Sequence, residues 1–349
     1  MDITNRFKEN PIITPVDVKP SVEGAVVECV LNAGAFRFNG RIGLLMRVAE
    51  RMEQVEGELS TLVADENEEL GVKIVSFKLD DPKLDYTDPR VFSYEGLPFL
   101  TTISHLRLAW SDDGVNFEVE NKPLLTGSGD LETFGIEDCR VTQIEDTYYL
   151  TYSAVSENGV GVALQTTTDW NEFKKYGLIF PPHNKDSTLF EEKIDGKFVA
   201  LHRPVGADVG GPFIWYSTSP DLIHWGNHKC IARTRVGAWD CQRIGAGAAP
   251  IKTEKGWLEI YHGCNDESRY CLGAMLLDLE EPTKVLARSE EPIMEPIAEY
   301  EQKGFFGNVV FTNGHIVGGD TVTIYYGASD TVICGATISI NEILDTLVL

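Results

Sequence analysis

The sequence lacks the features that mark secreted, membrane-spanning and disulfide-rich proteins. Its seven cysteines are an odd number without a C-x-x-C pair, which indicates reduced thiols and argues against a disulfide framework or a cysteine zinc site. The first residues, MDITNRFKENP, have no basic segment followed by an apolar one, so no signal peptide is predicted. No apolar run approaches the roughly 18 residues that a membrane span needs. We therefore expect a soluble, cytoplasmic protein.

Basic residues are scarce. The chain has 30 Lys and Arg against 54 Asp and Glu, a formal net charge of -24. A field of that sign repels nucleic acids and anionic membranes, so neither is an expected partner. An anionic substrate would need a local basic pocket that works against this charge. No linker composition divides the 349 residues, so one domain over 1–349 is predicted.

What the sequence has is a repeated pattern of short strands. Runs that start at a turn residue and continue with apolar, aromatic or β-branched residues occupy 40–47, 146–153, 196–203, 256–263 and 320–327. Three similar hairpin segments, SDDGVNF, TTDWNEF and SPDLIHW, begin at 111, 167 and 219. In each, a small polar residue and an Asp form a turn that an aromatic residue anchors. A period of about 50 residues with some four strands is typical of a β-propeller blade.

The repeat alone leaves the architecture open within the all-β class. Its spacing allows five or six blades, and a β-sandwich with chance similarity between hairpins is the alternative. Segment 50–70 is different, because it is acidic and poor in strand formers. It is predicted to be a surface excursion or a short helix.

Polar residues recur at the ends of the predicted strands, where propellers place their functional loops. Each also has a purely structural interpretation. Asp138 and Arg140 could form a local ion pair, His202 and His262 could be core histidines, and Lys185 could be a surface-turn residue. The turn IGAGAAP (244–250) indicates backbone that closely approaches a ligand or a neighbouring strand. Singly, none of these signals is specific.

Together, the motifs resemble the β-mannoside phosphorylases of glycoside hydrolase family 130. They are, in chain order, VLNAGAF, GLLMRVAER, FGIEDCRVTQ, PPHNKDSTLF, GKFVALHRP, WDCQRIGAGAAPI, GWLEIYHG and YYGASD. The resemblance covers nearly the whole chain and implies a five-bladed β-propeller. It also implies an enzyme that cleaves β-mannosides with inorganic phosphate and inverts the anomeric centre, giving α-mannose 1-phosphate. Phosphate is then a co-substrate, and neither a metal nor an organic cofactor is implied.

The resemblance also assigns roles to individual residues. An inverting hydrolase uses two carboxylates, whereas a phosphorylase needs only the acid because phosphate is already a nucleophile. In the family the acid relays its proton through a mannose hydroxyl. The implied roles are general acid for Asp138, phosphate binding for Lys185, Arg203, Arg243 and His262, and mannosyl binding for Asn32, Arg47 and Asp330.

The sequence also predicts the roles of the two residues adjacent to Asp138. Cys139 stands where many relatives have proline, which puts the geometry of this loop in question. It is not expected to be a nucleophile, because the inverting route has no covalent enzyme intermediate. Glu137 is expected to face away from Asp138 and to be structural, because successive strand residues point to opposite faces.

Two other functions and two other linkages stay open. A β-mannosidase of the same fold would need a second carboxylate, and a lectin-like propeller would lack the cationic cluster. Overall likeness favours β-1,2-linked mannose, with β-1,4-mannooligosaccharides and mannosyl-N-acetylglucosamine as alternatives. Segments 50–70 and 104–110 are candidates to line the acceptor subsite. Relatives commonly form homo-oligomers, so a homo-oligomer is one possible state, although the sequence itself does not indicate the oligomeric state.

Overall fold

The computed structural model describes residues 2–68, 70–87, 91–206 and 209–347, and nearly all of their regular structure is β-strand. The first strand is β1 (Asn5–Arg6), and a 3-10 helix (Pro15–Asp17) follows it. The next strands are β2 (Ala25–Phe38), β3 (Arg41–Met52), β4 (Glu58–Ala64), β5 (Val72–Lys78), β6 (Leu84–Asp85), β7 (Val91–Tyr94), β8 (Leu97–Leu100), β9 (Ile103–Ser111) and β10 (Glu118–Val119). Blade 1 is the sheet β10-β9-β3-β2.

The middle of the chain forms three further antiparallel sheets. Blade 2 contains β11 (Ile136–Ile144), β12 (Thr147–Ser156), β13 (Gly159–Thr167) and β14 (Lys174–Phe180). Blade 3 contains β15 (Asn184–Leu189), β16 (Phe198–Pro204), β17 (Ile214–Ser219) and β18 (Gly226–Ala232). Blade 4 contains β19 (Arg243–Gly245), β20 (Ile251–Thr253), β21 (Gly256–Cys264), β22 (Tyr270–Leu277) and β23 (Val285–Arg288).

The last sheet joins the two ends of the chain. After helix α1 (Glu299–Gln302), blade 5 contains β24 (Val310–Gly318), β25 (Thr321–Ala328) and β26 (Val332–Ser339), and helix α2 (Ile340–Asp345) follows. β1 pairs antiparallel with β26 and becomes the outer strand of this blade. The predicted five-bladed β-propeller is thus confirmed, and pairing of the first strand with the last joins both ends of the chain in one blade.

The repeated hairpin segments close the blades as predicted. Asp113, Asp169 and Asp221 each accept backbone N–H hydrogen bonds from the residues two and three positions later, at 2.8–3.0 Å. The anchoring aromatic residue then reaches a neighbouring blade. Phe117 of blade 1, for example, packs edge-on against Tyr325 of blade 5 with ring centroids 5.6 Å apart.

The prediction for segment 50–70 is wrong in part. Residues 58–64 form β4, which pairs with β5, and β6 to β8 form a second small sheet, so the excursion consists of strands. The apolar and β-branched stretch from Leu59 to Val63 carries the strand signal, and the surrounding acidic residues obscured it. No helix in the described ranges has the length and apolar character of a membrane span.

Candidate active site

A cavity of about 260 Å³ lies at the centre of the ring and receives side chains from all five blades. It brings together all eight residues to which the sequence assigns a role, although they come from distant segments. The lining residues are Asn32, Arg47, Asp138, Lys185, Asp186, Arg203, Arg243, His262, Tyr270, Phe306, Val309, Phe311 and Asp330.

Bulges in the first strands of blades 1, 2 and 3 present three of these residues. The pairing register breaks around Asn32 in β2, Asp138 in β11 and Asp186 in β15. All three have positive φ, at 49°, 53° and 50°. Asn and Asp tolerate this left-handed backbone better than most residues, and a bulge re-aims the side chain it carries. The repeat therefore places one polar side chain from each of these three blades at equivalent points of the cavity.

Asp138 is the buried carboxylate to which two blade 1 residues donate. Its Oδ1 accepts a hydrogen bond from Asn32 Nδ2 at 3.0 Å and another from Arg47 Nη1 at 3.2 Å. Burial raises the pKa of Asp138, but the positive charges of Arg47, Arg140 and Lys185 outweigh it, and the pKa lies below the ordinary 3.8. With no ligand bound, the carboxyl is therefore ionised at neutral pH.

Asp330 is a second carboxyl group of the cavity, and its pKa is raised whereas that of Asp138 is lowered. It lies in the turn after β25 with a φ of 48°. Burial is the main cause that raises the pKa of Asp330 to about 6; the charge of Arg47 opposes the rise, and the negative charges of Asp138 and Glu137 contribute to it. The environment therefore moves the pKa values of the two carboxyl groups apart. In mildly acidic solution, near pH 6, Asp138 is ionised and Asp330 is close to half-protonated.

The cationic groups gather on blades 3 and 4. Lys185 of β15 and Arg203 of β16 are cross-strand partners, so Lys185 lies in a strand rather than in a surface turn. Arg203 donates from Nε to Asp186 Oδ2 at 2.6 Å. Arg243 opens β19, and its guanidinium lies 5.9 Å from the ring centroid of Tyr270. These groups can bind an anion with charge-assisted hydrogen bonds.

His262 lies deep in the cavity next to the glycine-rich turn. Its Nε2 is 3.2 Å from Asp186 Oδ2. Burial lowers the pKa of His262, and the nearby arginines lower it further against the effect of Asp186, so the imidazole is neutral. A Cβ at Gly245 would lie 2.4 Å from Asp186 Oδ2 and 2.5 Å from the ring of His262. The backbone of this turn thus approaches its neighbours closely, as predicted, and the neighbours are the cavity residues Asp186 and His262.

Two expectations about the neighbours of Asp138 are corrected. Arg140 donates to the backbone carbonyl of Asp138 at 2.9 Å, and its ion pair is with Asp186 at 3.1 Å. Glu137 does not face away, because its Oε1 accepts from Arg47 Nη2 at 2.8 Å, on the same guanidinium that contacts Asp138. The bulge between Glu137 and Arg140 breaks the alternation on which the expectation rested.

Cys139 is a core residue. It is fully buried and packs with Ile136, Val141 and other apolar residues between blades 1 and 2. Burial raises the pKa of the Cys139 thiol, so the group is neutral and unreactive, in agreement with its predicted lack of a nucleophilic role. His202 is likewise a core histidine, since its ring stacks on Phe180 at a centroid distance of 4.1 Å and contacts Asn184.

Comparison with known proteins identifies the family. The family model described as β-1,4-mannooligosaccharide phosphorylase, Glyco_hydro_130, matches residues 99–349. The chain belongs to glycoside hydrolase family 130. A β-1,2-mannobiose phosphorylase of Listeria innocua serovar 6a is 48% identical over 98% of both chains. A 1,2-β-oligomannan phosphorylase of Thermoanaerobacter sp. is 41% identical over 69% of this chain and 80% of its own length.

A solved family 130 structure shows the same architecture. The β-1,2-mannobiose phosphorylase of Listeria innocua, in complex with β-1,2-mannobiose, superposes with a TM-score of 0.91 at 46% identity and 98% coverage of both chains. The relatives are mannoside phosphorylases, and this chain is an enzyme of that family. As phosphorylases, they use phosphate as a substrate.

Sequence reasoning missed several residues that the family 130 cavity contains. Asp186 had a signal, because it occupies the same strand position in blade 3 as Asp138 does in blade 2. The aromatic wall of Tyr270, Phe306 and Phe311 had none, since aromatic residues in strands are usually core residues. Segments 50–70 and 104–110 supply none of the described lining residues, although Ser104 accepts a hydrogen bond from Arg47.

Proposed function

We propose that this chain catalyses the inverting, reversible phosphorolysis of β-mannosides, with β-1,2-mannobiose or a β-1,2-linked oligomannan as the substrate. Phosphate replaces the acceptor sugar at C1 of the terminal mannosyl unit. The products are α-mannose 1-phosphate and mannose, or an oligomannan shortened by one unit. Phosphate is the co-substrate, and the reaction requires neither a metal nor an organic cofactor.

One observation carries this proposal: three cations converge on the cavity that holds the acid. Lys185, Arg203 and Arg243 come from two blades of a chain whose net charge is -24. A neutral sugar does not require such a cluster, whereas a phosphate dianion does. The cluster therefore supports phosphorolysis over hydrolysis and over sugar binding without catalysis. Hydrolysis would also need a second carboxylate to activate water. Glu137 is bound by Arg47 and Asp186 by Arg203, and Asp330 is assigned to the mannosyl unit.

We assign the residues as follows. Phosphate held by Lys185, Arg203, Arg243 and His262 attacks C1 from the face opposite the leaving oxygen, so the new C1–O bond forms as the glycosidic C1–O bond breaks. Asp138 supplies the proton that the leaving oxygen gains and becomes a carboxylate, which solvent or the next phosphate reprotonates. The mannosyl unit is bound by Asn32, Arg47 and Asp330.

Bound phosphate also provides a reason for the acid to be protonated. In the free site the positive charges near Asp138, including that of Lys185, keep its pKa low. A phosphate dianion on the same cations offsets their attraction and raises the pKa of Asp138. Phosphate binding therefore favours the protonated form of Asp138, which couples proton donation to the presence of the nucleophile.

The β-1,2 linkage rests on similarity. The relatives at 48% and 41% identity are named for β-1,2-mannobiose and 1,2-β-oligomannan, and the former covers the whole chain. The second candidate is a β-1,4-mannooligosaccharide, after the description of the matching family model. A cytoplasmic location and a homo-oligomeric state are further predictions.

A substrate panel tests the proposal. Purified protein is incubated with β-1,2-mannobiose, β-1,4-mannobiose or β-1,4-mannosyl-N-acetylglucosamine, each with and without phosphate, and the products are separated by anion-exchange chromatography. Mannose 1-phosphate is expected from the β-1,2 substrate and only with phosphate. Equal or faster turnover of a β-1,4 substrate would overturn the linkage, and release of mannose without phosphate would overturn phosphorolysis.

A further inference from the structure

Asp186 places a negative charge inside the cavity that the proposed reaction needs for an anion. Its side chain is only 4% exposed. Burial raises the pKa of Asp186, but the positive charges of Arg203 and Arg140 outweigh it, and the pKa lies well below the ordinary 3.8. A permanent carboxylate beside a phosphate site repels the ligand, so its presence calls for a compensating role.

The contact with Arg203 indicates what that role is. Arg203 donates from Nε to Asp186 Oδ2 at 2.6 Å, and this is the hydrogen bond that its guanidinium makes among the described residues. An arginine held at Nε keeps its plane fixed while both Nη groups stay available for a second, bidentate partner. Because Arg203 lines the cavity, that partner would be an anion bound there.

The same carboxylate also contacts His262 and Arg140. Its Oδ2 lies 3.2 Å from His262 Nε2, and its Oδ1 accepts from Arg140 Nη2 at 3.1 Å. Arg140 donates in addition to the carbonyl of Asp138 at 2.9 Å and to that of Ala246, in the glycine-rich turn, at 3.2 Å. Asp186 is therefore the shared partner of two cavity residues and is tied through Arg140 to the backbone of Asp138.

We propose that Asp186 is a positioning residue for the nucleophile, orienting Arg203 and His262 toward phosphate, and that Arg140 fixes this unit relative to Asp138. This inference rests on the proposed function, since it requires phosphate as the ligand of these two residues. In this role Asp186 acts on phosphate through Arg203 and His262 and not by direct contact. Asp186 holds the Arg203 side chain in one orientation. This orientation stabilises bound phosphate by more than the negative charge of Asp186 destabilises it.

The test is a steady-state comparison of Asp186→Asn with wild type, varying phosphate and β-1,2-mannobiose separately. The expected result is a rise of about 10- to 100-fold in the KM for phosphate, the scale of one charge-assisted hydrogen bond. The KM for mannobiose is expected to change less than about threefold, since Asn32, Arg47 and Asp330 are not in contact with Asp186. An unchanged KM for phosphate would overturn the inference.

A matched variant separates positioning from loss of a buried ion pair. Glu301 is also a fully buried carboxylate held by an arginine, with Arg6 Nε donating at 2.7 Å, and it does not line the cavity. Glu301→Gln is expected to lower the thermal midpoint and to keep the wild-type KM for phosphate. If both variants raise that KM equally, Asp186 has only a structural role.

A second change keeps the test decisive if Asp186→Asn does not fold. Arg203→Lys retains the positive charge but removes the Nε donor, so it is expected to raise the KM for phosphate on the same scale and to spare the KM for mannobiose. A wild-type KM for phosphate in Arg203→Lys would contradict the inference. If the wild-type protein forms no mannose 1-phosphate, the proposed function fails. If the wild-type protein is active and Asp186→Asn has the wild-type KM for phosphate, only the inference about Asp186 fails.

Discussion

Asn32 and Asp138 are 106 residues apart in the chain, yet Asn32 Nδ2 donates a 3.0 Å hydrogen bond to Asp138 Oδ1. Each lies in a bulge of the first strand of its blade and has a positive φ. Neighbouring blades thus bring equivalent positions of the repeat into contact at the centre of the ring. A propeller can in this way build a compact site from residues that are distant in sequence.

The first prediction concerns the acid. Asp138→Asn keeps the size of the side chain but removes its transferable proton, so kcat/KM for phosphorolysis is expected to fall by about 10²- to 10⁴-fold. Circular dichroism and the thermal midpoint check that the fold is intact. A folded Asp138→Asn protein that keeps more than a tenth of the wild-type kcat/KM would remove Asp138 from this role.

The second prediction concerns the exposed cation of the cavity. Arg243→Ala removes a charge-assisted contact to phosphate, so the KM for phosphate is expected to rise about 10- to 100-fold with little change in stability. Arg41→Ala is the control, because Arg41 pairs with Asp112 on the surface. Initial rates over a range of phosphate concentrations measure the effect. A similar rise in both variants would show that net charge, and not the position of Arg243, is responsible.

The third prediction links pH to stability through Asp330. Folding raises the pKa of Asp330 from 3.8 to about 6, so its contribution to stability is present below pH 3.8 and is lost as pH rises through about 6. Asp330→Asn abolishes this loss, so the variant should gain stability relative to wild type between pH 4 and 7, by about 1–3 kcal/mol.

Urea unfolding of wild type and Asp330→Asn at a series of pH values measures this difference. The variant is also expected to bind mannosides more weakly, because Asp330 is assigned to the mannosyl unit. A stability difference that stays constant from pH 4 to pH 8 would show that Asp330 does not titrate in this window.

The propeller repeat could be predicted from local sequence patterns, whereas the number of blades came from the family resemblance. The turn Asp residues, such as Asp113 and Asp169, and the aromatic anchors that follow them recur in blades 1, 2 and 3. Eight of the cavity residues could be predicted because the family resemblance assigned them roles. By contrast, the strands of segment 50–70 were hidden because charged residues surround the short apolar stretch of β4.

The contacts inside the cavity were less predictable, because they depend on bulges. A period of two places Glu137 and Asp138 on opposite faces, and only the register break brings both to Arg47. Similarly, Arg140 is two residues from Asp138 but pairs with Asp186, 46 residues away. Such pairings are set by the approach of neighbouring blades, and no local pattern of one sequence contains that information.

The most direct test of phosphorolysis is the anomeric configuration of the first product. Wild-type protein is mixed with β-1,2-mannobiose and inorganic phosphate, and the reaction is followed by ¹H and ³¹P nuclear magnetic resonance from the first minutes. The account predicts α-mannose 1-phosphate and mannose in equal amounts, and no cleavage when phosphate is omitted. Formation of free mannose without phosphate, or of the β-phosphate, would contradict it.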